Sequence, residues 1–585
     1  MKCKKNYCNT NKKKCNKRGN KHCKVMKNYC KIKCTKKCFD KETQPLRNYN
    51  IGSSTTAIAD KLVSRPSTTP IKVQLFEDIQ FPSNDVDQDG NYDVKYNAPS
   101  SDVKSKCFKK VVLTLDFSVE PGKQFDREYS LWKDGVLLAR GTTAQTDFIQ
   151  NNDNEWTVEC NVTDYLKPLL KDGCIRMNLF NLIQDDLTSS ITVSSCLEFY
   201  PLPNCEKCLK VPDKVIPLSL DEKGELFQIT PTTTFKKVFQ KSKLPTNIVR
   251  AELDLTVRGN GEEEFWFFMD FNLLKSTFYR ELEVLLDGDI VSVIPIPPYI
   301  YTGGAAPALW VPIPNVETLK FTFTTVPINF VLGRLNQNKV HTFCIRIAGI
   351  LDSGFNVGGN LKLCLDEKKK VVCGKVLKNT LSDKNEPKIS NAVVSQLFGK
   401  PFNSQSKRSY NQKGYIDTSK GKIYFEVCGK VLFDETGTIS NEGNVTTLGS
   451  DLSSSLNIVE KISNKCGLIK KVYTNYSYES KIDRVIEQLS SGNFNVEFSS
   501  DNTFKVSNKV KKCDKVVFEQ QICNNTQNNL DYVQSSSGVV SWENQSSSQR
   551  YQSHVKQTKK CGTKETDFDL TLTAKDNLLE SVTYN

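Results

Sequence analysis

FDREYSLWKDG at residues 125–135 and FYRELEVLLDG at residues 278–288 place Phe, Arg and Glu alike, and each reaches an Asp-Gly pair nine residues after its Phe. Asp-Gly between apolar runs marks a tight hairpin turn. An alternating strand precedes each copy: Val111, Leu113, Leu115, Phe117 and Val119 before the first, and Val249, Ala251, Leu253, Leu255 and Val257 before the second. The same period of two returns in Leu319, Phe321, Phe323, then Leu361, Leu363, Leu365, then Ile423, Phe425, Val427, and last Phe568, Leu570, Leu572. Long helical periodicity is absent, so the chain is expected to be all-β and antiparallel. The duplicated pattern predicts two adjacent, jelly-roll-like β-sandwiches, at 70–205 and 206–370. An accessory β-rich domain follows at 371–585, its patterned segments separated by Ser/Asn-rich stretches such as Ser535 to Ser548. The copies differ at one telling place, since Asp126 in the first is Tyr279 in the second. A carboxylate confined to one copy is a candidate for chemistry rather than for fold.

Charge divides the chain in another way. The first 39 residues hold fifteen Lys or Arg and no Asp or Glu, while the whole chain is +14, so the remaining 546 residues sum to about −1. The basic character is an appendage on a near-neutral body, which excludes a nucleic-acid reading for the body. Residues 1–44 are read as a disordered, solvated basic tail and 45–69 as a linker. The sharper alternative for the tail is a salt-sensitive contact with a polyanion or a particle surface. Cys30, Cys34 and Cys38 with His22 would be its only metal-like grouping, but paired C-x2-C elements are missing. With three His in the whole chain, neither a metal nor a cofactor is expected.

Seven of the 21 cysteines lie in the tail and fourteen in the body, where Cys205/Cys208 and Cys364/Cys373 are close enough in sequence for local bridges. The basic N-terminus has no apolar stretch behind it, so no signal peptide is visible. No apolar run approaches the length of a membrane-spanning helix.

The run Gly122-Lys123-Gln124-Phe125-Asp126-Arg127, with Trp132 after it, resembles the plant and fungal peptide-N-glycosidase A family. Gly259-Asn260-Gly261-Glu262-Glu263-Glu264-Phe265-Trp266 and Tyr301-Thr302-Gly303-Gly304, with Trp310 and Pro312, fall in that family's order, as do His341 and Asn360-Leu361. The resemblance implies an amidase that cleaves between an Asn side chain and the first N-acetylglucosamine of an N-glycan, leaving Asp. It implies N-glycosylated peptides or glycoproteins as substrates and a lumenal, secreted or virion-associated setting. A further similarity, to the W-D-R segment of bacterial N-glycanases, implies that Asp126 is the principal catalytic carboxylate, with Arg127 orienting it. Glu264 would be the second carboxylate. Trp266 or Trp310 would flank the sugar, Asn181 would hold its N-acetyl group, and Tyr301, Gly303 and Gly304 would line the substrate site.

The chain departs from the family pattern at three positions. Gln145 stands for an acid, Val311 for an Arg and Gly359 for an Asp. Two other readings therefore stay open: a catalytically reduced glycan-binding relative, or a virion or surface structural protein that keeps the sandwiches. Without the resemblance, the Asp-Arg pair would be read as an ion pair, Phe265 to Phe268 as core, and His341 as a hydrogen-bonded strand residue.

Overall fold

The computed structural model describes residues 42–99, 107–146, 154–202, 209–267, 279–300, 312–350, 353–381, 388–391, 400–535, 538–559 and 562–585. Residues 1–41 of the basic tail, Cys205, Cys208, Tyr301, Gly303, Gly304, Trp310 and Val311 lie outside them, while Glu42–Thr43, read as part of the tail, pairs with Arg65–Pro66.

Eight strands form the first sandwich. Ile71–Phe81, Ile191–Pro201, Phe108–Val119 and Asn154–Asn161 make one sheet, in that order. Asn91–Tyr96, Gly173–Leu179, Glu128–Lys133 and Val136–Thr142 make the other. Counted along the chain, the orders are 1-8-3-6 and 2-7-4-5, which is a jelly roll. The second sandwich repeats them. Its first sheet runs Lys214–Leu218, Gly354–Leu365, Ile248–Asn260, Thr324–Pro327, with Phe227–Ile229 extending the first strand along Gly354–Leu365. Its second runs Phe235–Phe239, His341–Ala348, Glu281–Leu286, Asp289–Pro295.

The likeness reaches individual hydrogen bonds. Asp134 and Asp287 open the Asp-Gly hairpins with φ of 46° and 52°, followed by Gly135 and Gly288 at 77° and 89°. Both turn positions thus need the left-handed region, which selects Asp-Gly. Asp134 donates its N–H to the Cys174 carbonyl at 3.1 Å, and its Oδ1 accepts from Cys174 N at 2.8 Å. Asp287 does the same with Thr342, at 2.8 and 2.9 Å. His341, as the sequence suggested, is a strand residue, with Nδ1 2.9 Å from Asp287 Oδ2 and Nε2 3.0 Å from the Gln337 carbonyl.

The sheets stack. Asn360, fully buried, reaches from the second jelly roll into the first; its Oδ1 accepts from Leu137 N at 3.1 Å and its Nδ2 donates to Leu137 O at 2.8 Å. On the other side, the second jelly roll meets a long meander. There Arg408 pairs with Glu281 and Glu283, and Phe433 lies against Trp266 and Tyr279.

The meander is an eleven-stranded antiparallel sheet, whose main path from Cys373–Asn379 and Lys400–Thr418 to Leu578–Tyr584 joins strands in sequence order. Its central strands are 19 to 22 residues long, against the ~5–6 usual in globular proteins. Here the sequence reading is corrected: Ser541 to Ser548 do not separate strands but lie within Gly538–Lys559. Inward positions carry Ser480, Asn502, Thr526 and Gln549, all buried, so the alternation is present but polar.

The 45–69 segment is packed rather than loose. Arg47 pairs with Asp60 at 2.7 Å, Ala59 N donates to Gln549 Oε1 at 2.7 Å, and on the last strand Leu579 O accepts from Gly52 N at 2.8 Å while Leu579 N donates to the Ser53 carbonyl at 2.9 Å. This covers an edge that would otherwise template further pairing. Ten described cysteines are free thiols, among them Cys364 and Cys373, so the bridge suggested by their spacing is not made. Cys107 is disulfide-bonded.

Asn360→Ala strips partners from two buried backbone groups at the inter-sandwich contact. Each orphaned group costs about 1–3 kcal/mol, so unfolding in urea should report a loss of about 2–4 kcal/mol. A loss below about 1 kcal/mol would show that the clamp carries little of the interface.

Candidate active site at the junction of the two sandwiches

Asp126 lies in the loop that enters the strand Glu128–Lys133, and Glu128 follows it at i+2, on the same side of the chain. Both carboxylates face the second jelly roll. From its strand Ile248–Asn260, Arg258 sends Nη2 to 3.7 Å from Asp126 Oδ2 and Nη1 to 3.3 Å from Glu128 Oε2. The side chains of Asp126, Glu128 and Arg258 are 5%, 12% and 13% exposed, so these charges interact with little screening by water.

Glu128 is the more heavily bound. Arg140 Nε donates to Oε1 at 2.6 Å, and Asn356 Nδ2 donates to Oε2 at 2.8 Å. Burial opposes its ionisation, but the Arg140 and Arg258 guanidiniums outweigh burial and hold its carboxyl below the usual range. Arg140 is itself fixed by Thr256 Oγ1 at 2.8 Å and the Asn356 carbonyl at 3.0 Å. With three donors on its two oxygens, Glu128 is suited to holding geometry. Asp126 meets Arg258 at 3.7 Å, an electrostatic contact beyond hydrogen-bond distance.

Arg127 turns elsewhere. Its Nη2 donates to Gln124 Oε1 at 2.7 Å, and its guanidinium stands 5.8 Å from the ring centre of the exposed Phe125. It fastens the loop, with its backbone N donating to Thr143 Oγ1 at 2.8 Å, and its charge also acts on the neighbouring Asp126, which Arg258 approaches from the second jelly roll.

Glu264 ends a one-turn 3-10 segment, Gly261–Glu263, and its N donates to the Gly261 carbonyl at 3.0 Å. This turn folds back on Gly259, where a Cβ would lie 2.0 Å from the Glu263 carbonyl oxygen. Glu264 is thereby set beside the residue after Arg258, half-buried. Its neighbour Glu263 is buried and paired with Arg280 at 2.8 Å.

Trp266 is 2% exposed, edge-on to Phe267 at 5.6 Å and under the Arg280 guanidinium at 5.8 Å. It is core and presents no ring face to solvent. Asn181 is buried, and its Nδ2 donates to the Phe81 and Ser189 carbonyls at 2.8 and 3.2 Å, anchoring the loop beneath Phe125. The positions of departure are equally informative. Gln145 is buried, and a Cβ at Gly359 would lie 2.3 Å from the Asp254 carbonyl oxygen and 2.7 Å from Leu255 Cδ2, leaving no room for a side chain.

Sequence reading missed Glu128, Arg140, Arg258 and Asn356. Glu128 had a signal, because the repeated pattern contains Arg-Glu in both copies, at 127–128 and 280–281. Among the described residues no group of three or more His, Cys, Asp or Glu is placed to hold a metal ion.

The profile of the family described as peptide N-acetyl-beta-D-glucosaminyl asparaginase amidase A matches residues 89–381. A peptide-N4-(N-acetyl-beta-glucosaminyl)asparagine amidase A from Prunus dulcis is 27% identical over 374 residues, 59% of this chain and 63% of that protein. The chain thus spans less than two thirds of that relative's length. Two solved structures of PNGF-II, in C2 and P21 space groups, align at 14% and 15% identity with TM-scores of 0.35 and 0.33. They cover 51% and 50% of this chain and 66% and 65% of their own.

Glu128→Gln should lower stability near neutral pH by about 3 kcal/mol, because it leaves Arg140 and Arg258 buried with half their partners. The folded carboxyl titrates below the ordinary value of about 4.3, so its contribution is complete above that pH and fades as pH falls through the depressed folded value. Chemical denaturation across pH should therefore show wild type and variant converging in acid. A gap independent of pH would contradict the assignment.

Proposed function

The chain belongs to the peptide N-acetyl-beta-D-glucosaminyl asparaginase amidase A family, and from that premise we propose that it is a glycoamidase acting on N-glycosylated peptides or glycoproteins. It hydrolyses the amide between Asn and the first N-acetylglucosamine. Water adds to the amide carbon, the carbon–nitrogen bond breaks, the sugar leaves as a glycosylamine, and the peptide keeps Asp.

The observation that carries this reading is Asp126 itself. It is a carboxylate present in one of two matching jelly rolls, set in a loop at their junction and faced by Arg258. In the second copy Tyr279 occupies the position, and its hydroxyl donates to Glu281 Oε2 at 2.6 Å, closing the equivalent space. Asp126 is assigned to orient and deprotonate the attacking water, the role general-base catalysis requires. Arg258 is assigned to hold Asp126 in place. Glu264, on the turn after Arg258, is assigned as the second carboxylate. Glu128 and Arg140 position Arg258.

Gly359 supports this reading over a degenerate binding protein. Its α-carbon is packed between Asp254 and Leu255, so the missing acid marks repacking of a strand pair instead of an emptied catalytic position.

The test is incubation of the full chain with a defined N-glycopeptide and mass spectrometry of the peptide product. The glycosylated Asn should appear as bare Asp. Asp126→Asn should slow turnover by about 10²–10⁴-fold, the usual contribution of a general base. Glycan binding without any conversion, across acidic to neutral pH, would make the chain a glycan-binding relative.

A further inference from the structure

After the second jelly roll's outer hairpin, residues 312–323 return to the first. Thr142 N donates to the Thr318 carbonyl at 3.0 Å and Phe321 N to the Arg140 carbonyl at 2.8 Å. Between this returning segment, the packed 47–61 segment and the meander lies a cavity of about 330 Å³.

Its meander wall is built in register. Phe504, Asn524 and Tyr551 sit side by side on three adjacent strands. Asn524 is 7% exposed, and its Oδ1 is buried with no donor. On the returning segment, Asn315 is 3% exposed; its Oδ1 accepts from Val316 N at 2.8 Å, while its Nδ2 is buried with no acceptor. Two walls of one cavity thus each hold a buried amide group with hydrogen-bonding capacity unspent, and buried polar atoms rarely go unpaired. Glu317 also lines the cavity, with Oε2 accepting from Thr322 N at 2.8 Å, and it adopts a left-handed φ of 60°. Strained backbone of this kind persists where the surroundings impose it, and it gathers at functional positions.

Arg47 at 2.7 Å and Lys320 at 3.4 Å share Asp60, and Lys61 also lines the cavity, its ammonium 5.5 Å from the Phe568 ring centre. Burial pushes the Glu317 carboxyl up to about 7, against the Thr322 hydrogen bond and Lys320, so below neutral pH it is a neutral donor.

We propose that this cavity binds a single pyranose ring, whose C–H face packs on Tyr551 and Phe504 and whose hydroxyls meet Glu317 and, once the two amides turn toward the cavity, Asn315 Nδ2 and Asn524 Oδ1. An apolar wall with a few converging polar groups is the usual make-up of a small-molecule site. The site stands apart from the amidase reading, because neither Asp126 nor Arg258 lines the cavity.

The test uses the full chain with N-acetylglucosamine, mannose and galactose as separate probes, followed by saturation-transfer NMR and titration calorimetry. At least one should bind saturably, with Kd on the order of 1 mM for so small a ligand. Asn524→Leu should weaken that binding by at least about tenfold while keeping or raising the melting temperature, since it removes an unpaired buried polar atom. A purely structural Asn524 would give the opposite: a lowered melting temperature with binding intact. Asp126→Asn should bind the sugar as wild type does while losing glycopeptide cleavage, which separates the two proposals.

Glu317→Gln serves if the Leu variant does not fold. Wild-type affinity should fall as pH rises through about 7, when Glu317 ionises among Asp60, Lys320, Tyr299, Tyr478 and Tyr551, and the Gln variant should not show that fall. Saturable binding by none of the three sugars, or unchanged binding in Asn524→Leu, would overturn the proposal.

Discussion

A carboxylate buried between two sheets is costly to ionise unless a cation meets it there, because neither sheet leaves water to solvate it. The stacking of this protein answers that constraint twice. Glu128 leaves the first jelly roll to meet Arg258 of the second, and Glu281 leaves the second to meet Arg408 of the meander. At the first joint the guanidiniums outweigh burial and hold the Glu128 carboxyl below its usual range, while at the second burial outweighs Arg408 and pushes the Glu281 carboxyl up. The order of the stack is thereby marked by ion pairs as well as by apolar area, and the candidate catalytic corner is built at the first of these joints.

Duplication explains why that corner exists. Two jelly rolls with the same strand order and the same hairpin hydrogen bonds offer two equivalent loop positions, at 126 and 279. In the second, Tyr279 is fully buried and bonded to Glu281, so the position is spent on packing against Phe433. In the first, the loop is flanked by the exposed Phe125 and faces a neighbouring jelly roll. Equivalent backbone thus carries a structural residue in one copy and a candidate catalytic one in the other.

Much of this was legible in sequence, and for identifiable reasons. Alternating Val, Leu and Phe over 111–119 and 249–257 fixed strands, and Asp-Gly at 134 and 287 fixed hairpins, because local sterics demand those residues. Asp126 stood out by comparison of the copies. Arg258 did not, since an Arg on an alternating strand looks solvated until the next domain is placed over it. Trp266 misled for the converse reason: an aromatic near acidic residues reads as a sugar platform, yet Arg280 and Phe433 bury it. The meander's inner face was legible only in part, at Ile423 to Val427 and Phe568 to Leu572, because elsewhere buried Ser480, Asn502, Thr526 and Gln549 interrupt the hydrophobic period.

The meander also differs from the jelly rolls in how its contacts are spaced along the chain. Phe81 must find Ile191 to close the first sandwich, whereas each long strand of the C-terminal sheet pairs with its immediate predecessor and successor. Loop closure for such neighbours is cheap, and rates rise as contacts become local. The sheet can therefore zip forward from Lys400–Thr418 once the second jelly roll offers Glu281 and the apolar face around Trp266. It is also divisible in whole hairpins: removing or adding a pair of strands distal to that face leaves every remaining register unchanged. Among homologues, variation in length should accumulate there in steps of two strands, while the jelly rolls hold their strand number.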